Sequence, residues 1–116
     1  LPHTYTQNCV AYTGTHDNDT ALGWYRSAPD RVQHRVRVYV GRDGSDAAWD
    51  LIRLAWSSVA ERAIAPMQDL LSLGAEHRMN VPGQAHGNWG WRMDHWPSDS
   101  VGLRIQELTR AYGRHQ

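Results

Sequence analysis

Residues 13–24, Thr-Gly-Thr-His-Asp-Asn-Asp-Thr-Ala-Leu-Gly-Trp, place a His, two Asp, an Asn and three Thr directly behind the apolar run Cys9, Val10, Ala11, Tyr12. An imidazole next to a carboxylate, His16-Asp17, suits substrate hydrogen bonding or metal ligation. In α/β barrels and doubly wound sheets, catalytic residues collect where a strand gives way to its loop. Asp17, Asn18 and Asp19 equally suit turning the chain and capping the next helix, so the local motif leaves both readings open. A metal-dependent hydrolase is a third reading. Its ligand set is not recognisable, because the seven His residues include no pair at i, i+4 or in a CxxC-like arrangement. No metal and no cofactor are expected.

A second group runs from Gly74 through Asn80 to Gly83 and from Gly87-Asn88-Trp89-Gly90-Trp91 to Arg92. The amides of Asn80 and Asn88 with the flat faces of Trp89 and Trp91 suit a sugar, whose C–H faces stack while its hydroxyls need directional partners. Asn88 and Trp89 are thus candidates for a substrate-facing loop. The plainer reading, which fits the two Trp residues better, pins a long loop onto the core, with Arg78 and Arg92 in structural ion pairs.

These groups need elements to hold them. Asn8 to Tyr12 is apolar and rich in β-formers and ends at Thr13-Gly14, which predicts a buried strand. Asp19 or Thr20 caps a short helix over Ala21 to Arg26. From Pro29-Asp30 to Gly41 the apolar positions fit a helix stopped by Gly41, while Val36, Val38 and Val40 also alternate as in a strand. Ala48, Leu51, Ile52, Ala55 and Val59 form one stripe of a helix reaching about Ala60. Ala63-Ile64-Ala65, running through Pro66 into Met67-Gln68-Asp69, predicts a second buried strand. Leu73 to Pro97 is loop, and a Ser98 or Asp99 cap opens a last helix that ends before Gly113. This is a slice of an α/β protein. Two strands alone cannot build a sheet covered on both faces, so their neighbours are expected upstream of Leu1.

Composition bounds the partners. The 116 residues are 41% hydrophobic, with twelve acids against twelve bases. There is no basic footprint for nucleic acid and no apolar run near the ~20 residues of a membrane span. Neither nucleic acid nor membrane is an expected partner. All the bases are Arg, to which no role is assigned. The single Cys9 excludes an internal disulfide, reads as a small buried hydrophobe and fits a reducing, cytoplasmic setting. The chain begins Leu1-Pro2-His3, without Met or a basic-then-apolar leader, as a piece of something longer would.

Taken together, "NCVAYTGTHDNDTALGWYRS", "RAIAPMQDLLSLGAEHRMNVPG" and "GNWGWR", with "ELTRAYGR" closing the chain, resemble the 4-alpha-glucanotransferases (amylomaltases, disproportionating enzymes) of glycoside hydrolase family 77. The resemblance covers essentially the whole chain and corresponds to the C-terminal end of such an enzyme. It implies the last two strands of a (β/α)8 barrel, so that residues 1–116 form the C-terminal portion of a catalytic domain. The implied activity is retaining transfer of α-1,4-glucan segments from a maltodextrin donor to a glucose or maltodextrin acceptor. That chemistry uses a carboxylate nucleophile and a carboxylic acid/base, both implied to lie upstream of Leu1. By the resemblance Asp17 is the third carboxylate, which stabilises the positively charged sugar. His16 hydrogen-bonds the sugar at the cleavage subsite, and Asn80 is a further sugar ligand. Gln68, Asp69 and Arg78 either shape the loop or touch substrate. The fragment alone is expected to be inactive, and a noncatalytic glucan-binding or structural module is the alternative. His77 stands where the family pattern suggests Ala, and Ser72 where it suggests Gly.

Overall fold

A computed structural model describes residues 1–115. After a 3-10 turn at Pro2–Thr4, the order is β1 (Val10–Tyr12), α1 (Ala21–Ser27), α2 (Asp30–Val40), α3 (Ala47–Ser57), β2 (Arg62–Ile64), α4 (Met67–Leu70), a second 3-10 turn at Ala75–His77, and α5 (Asp99–Ala111). The two strands pair in parallel with Val10, Ala11 and Tyr12 opposite Arg62, Ala63 and Ile64. Parallel pairing requires a crossover, here the three helices α1 to α3, and sends both strand ends toward the same edge. The loop after β1 and the segment after β2 therefore emerge side by side.

The region left open between helix and strand is helical. Gly41 adopts φ 69°, and its amide donates to the Arg37 carbonyl (2.9 Å), which closes α2 in the left-handed conformation that glycine accepts without strain. Thr20 is the cap of α1, its hydroxyl accepting from the Gly23 amide at 3.1 Å. Gly23 is required there by close approach, since a Cβ would lie 2.9 Å from the Ala75 nitrogen.

Three expectations are corrected by the structure. The second strand is Arg62–Ile64 and does not run on to Asp69. Pro66 has no N–H for a ladder, and its fixed φ starts α4 instead. Neither strand is buried: Val10, Tyr12 and Ile64 are exposed and only Ala11 is enclosed. α3 packs on the strands, while among the described residues no further strand flanks the pair. α3 also ends at Ser57 and leaves Val59 exposed, because the Ser58 hydroxyl donates to the Ala55 carbonyl at 2.6 Å as the chain turns away.

The core forms around α3. Trp49 and Ile52 pack with Leu70 and Leu108, and Ala55 with Ala11 and Ala60, where Cys9 is half-buried. Arg104 of α5 lies over the Trp49 ring at 4.3 Å and pairs with Asp46, and Arg114 donates to the Trp56 and Ser58 carbonyls that end α3. Asp50 is buried against Arg42 (2.7 Å), and its desolvation pushes the carboxyl above its ordinary range despite that cation. Among the described residues, no helix is long and apolar enough to cross a membrane.

Asp69 carries the joint between the two halves. It is 1% exposed, and its carboxylate accepts from the Thr13 hydroxyl at the end of β1 and from the Ala21 amide (2.8 Å) at the start of α1. Asp69→Ala leaves those buried donors unpaired and should destabilise the protein by about 2–4 kcal/mol in chemical denaturation. A loss below about 1 kcal/mol would contradict the role given to this carboxylate.

Candidate functional site

The loop between β1 and α1 is ordered by its own polar side chains. The Asn18 carboxamide oxygen accepts from the Thr15 amide (2.7 Å) and hydroxyl (3.0 Å), reaching back three residues to close the turn. The Asp19 carboxylate accepts from the Thr20 amide at 2.7 Å. Asn18 and Asp19 thus hold the turn and Thr20 caps the helix, the work that the sequence allowed for the whole motif. His16 and Asp17 are released from it, with side chains about half exposed (53% and 55%) and His16 Nε2 lying 3.2 Å from Asp17 Oδ2.

Their partners come from the last loop. Asn80 Nδ2 donates to Asp17 Oδ1 (2.9 Å), and Arg78 Nη2 donates to the Asp17 carbonyl (3.2 Å). Both oxygens of the Asp17 carboxylate therefore face a nitrogen-bearing side chain, which orients an acceptor that stays open to solvent. The Trp89 ring stands beside His16 with ring centroids 5.0 Å apart. His16, Arg78 and Trp89, with Gly14, Gln68 and Met79, line one open pocket at the strand ends. Asp17 and Asn80 are not among its lining residues; the pocket itself offers an imidazole, a guanidinium and an aromatic wall, and the Asp17 carboxylate reaches it through its contact with His16.

The proposed loop ligands divide. Asn80 joins His16 and Asp17 through its bond to the carboxylate. Asn88 does not: its oxygen accepts from the Val81 amide (2.9 Å) and its nitrogen donates to the Gln84 carbonyl (2.8 Å), so it braces the loop. Trp91 also braces, donating from Nε1 to His77 Nδ1 at 3.0 Å, while Gln68 donates to the His77 carbonyl at 3.3 Å. Trp89 is the exception to the pinning reading, being 54% exposed. Among the described residues, Arg78 and Arg92 form no ion pair; both donate to main-chain carbonyls. Asp69 shapes the site from beneath and lines its pocket, and neither its depth nor the contact of Arg78 with Asp17 has a local signal, since their partners lie 48 or more residues away. Among the described residues, no three His, Cys, Asp or Glu side chains gather as a metal site. Ser72 adopts φ 54°, the left-handed region that favours the Gly of the family pattern.

A family model described as 4-alpha-glucanotransferase matches residues 1–98. The 4-alpha-glucanotransferase of Synechocystis is 46% identical over 98% of this chain and 23% of its own length. The Thermus thermophilus 4-alpha-glucanotransferase is 46% identical over 98% and 25%, and the chloroplastic/amyloplastic one of Arabidopsis thaliana is 41% identical over 98% and 21%. A solved amylomaltase from Streptococcus agalactiae, in complex with acarbose, superposes with a TM-score of 0.95 at 33% identity, covering all of this chain and 24% of that one. The chain spans about a quarter of the length of the curated relatives it matches.

If Trp91 braces the loop through His77, Trp91→Phe keeps the ring and removes the N–H, and should lower stability by about 0.5–1.5 kcal/mol. Chemical denaturation of the full-length protein checks this, and an unchanged midpoint would contradict it.

Proposed function

The chain belongs to the 4-alpha-glucanotransferases of glycoside hydrolase family 77, and we propose that it is the C-terminal portion of the catalytic (β/α)8 barrel of such an enzyme. The observation that carries the reading is the His16–Asp17 pair at the carboxyl end of a parallel strand, clamped by Asn80 and Arg78 from the loop after its neighbour. Loops at that end of the strands are where barrel enzymes build their sites. The exposed Val10, Tyr12 and Ile64, with the apolar groove walled by Tyr12, Trp24, Val36 and Leu51, are the faces that the rest of the barrel would cover.

The reaction is transfer of an α-1,4-glucan segment with retention. A carboxylate attacks the anomeric carbon as the glycosidic C–O bond breaks, and a carboxylic acid gives its proton to the leaving oxygen. The 4-hydroxyl of glucose or of another maltodextrin then attacks that carbon, releasing the first carboxylate and losing its proton to the second. Both of these groups belong to the part of the protein before Leu1. Asp17 forms no bond to sugar. Its fixed charge opposes the positive charge that builds on the ring in both transition states, and His16 hydrogen-bonds a sugar hydroxyl. Asn80 retains its carboxamide oxygen for a sugar hydroxyl while its nitrogen holds Asp17. Acarbose in the Streptococcus agalactiae relative supports a carbohydrate ligand. A free Cys9 suits a reducing compartment, and we assign the enzyme to the cytoplasm.

The full-length protein should convert maltotriose into glucose and longer maltodextrins, whereas the 116-residue chain alone should not. Product analysis by chromatography decides it. Turnover by the isolated chain, or none by the full-length protein, would contradict the proposal.

A further inference from the structure

Trp89 and Trp91 lie two positions apart in one loop, yet their surroundings differ in kind. Trp91 has a hydrogen-bonding partner for its indole. Trp89 has φ 62°, a left-handed backbone that a bulky residue enters only at a cost. Its amide donates to the Met79 carbonyl at 2.7 Å, a bond that any residue but proline would make. Glycine would hold the same turn without strain. More than half of the indole is exposed, so within this chain burial does not offset the strain. What the side chain adds is a ring contact with His16, centroids 5.0 Å apart and planes inclined by 37°.

The His16 imidazole needs such a neighbour. It stands on an exposed loop, and among the described residues its side chain has one polar contact, between Nε2 and the Asp17 carboxylate at 3.2 Å. A half-exposed side chain with one polar contact rotates freely, and a hydrogen-bonding group acts best when its orientation is set before substrate arrives. We propose that Trp89 is a positioning residue for His16. Its indole forms the wall against which the imidazole rests, keeping Nε2 on Asp17 and leaving the other ring nitrogen for a sugar hydroxyl. The strained backbone at residue 89 is what turns the indole toward His16. The inference rests on the reading of His16 as a sugar-binding group.

A double-mutant cycle in the full-length enzyme tests it, using Trp89→Gly, His16→Ala and the double variant, with Trp89→Phe as a replacement ring. The readouts are kcat and KM for maltotriose disproportionation and the thermal midpoint. Glycine suits the backbone of residue 89, so Trp89→Gly should keep or raise the midpoint. Its kcat should fall about tenfold with KM within about twofold, as loss of preorganisation rather than of contact area demands. Trp89→Phe should recover most of the rate. In the His16→Ala background, Trp89→Gly should cost less than about twofold, because the residue it orients is gone. The same tenfold loss in both backgrounds would overturn the proposal, as would a raised KM at unchanged kcat, which would make Trp89 a sugar platform. A lowered midpoint accompanying the rate loss would overturn it in favour of a fold anchor, and an unchanged kcat would overturn it outright. If His16→Ala leaves kcat and KM unaltered, it is the sugar-binding reading of His16 that fails.

Discussion

One buried carboxylate holds the site's floor in place. Asp69 ties the hydroxyl that ends β1 to the first amide of α1, so the loop between them has both ends fixed on the core rather than one. A charged acceptor with donors on both oxygens is among the stronger links a protein can make in a water-poor setting. It lets a loop of exposed polar residues keep one conformation. Asn18 and Asp19 absorb the remaining backbone demands, and that division of labour is what frees His16 and Asp17 to face outward.

The second constraint comes from far along the chain. Arg78 and Asn80 reach Asp17 across 61 and 63 positions, and Trp89 reaches His16 from the same loop. This loop has little regular structure of its own, and it is stiffened by Asn88 inside it and by Trp91 on His77. Two loops that each cross the edge of a parallel strand pair thus lock together over the strand ends.

Patterns with short range were legible in the sequence, and contacts with long range were not. The stop at Gly41, the Thr20 cap, the α3 stripe at Ala48, Ile52 and Ala55, and the strand-end position of His16-Asp17 all follow from neighbours within a few residues. The burial of Trp49 follows from α5, whose Leu108 and Arg104 arrive from more than 50 residues away. The apolar run of the second strand continues past Pro66 and so predicts a longer strand than the missing N–H allows. Both strands look buried in the sequence because apolar residues mark a face meant to be covered, whether or not the covering segment is in the chain. Trp89 and Trp91 could not be separated by type or spacing, since what divides them is a backbone angle and the partner each ring finds.

The central claim is that Asp17 supplies the charge that meets the transition state. Replacing Asp17 by Asn in the full-length enzyme keeps the shape and one acceptor oxygen for Asn80 while removing that charge. Maltotriose disproportionation should fall by about a hundredfold or more with the folded midpoint little changed, the scale at which one preorganised electrostatic group acts. A rate within a few-fold of the parent would remove Asp17 from the mechanism and leave the clamped pair a structural feature of the loop.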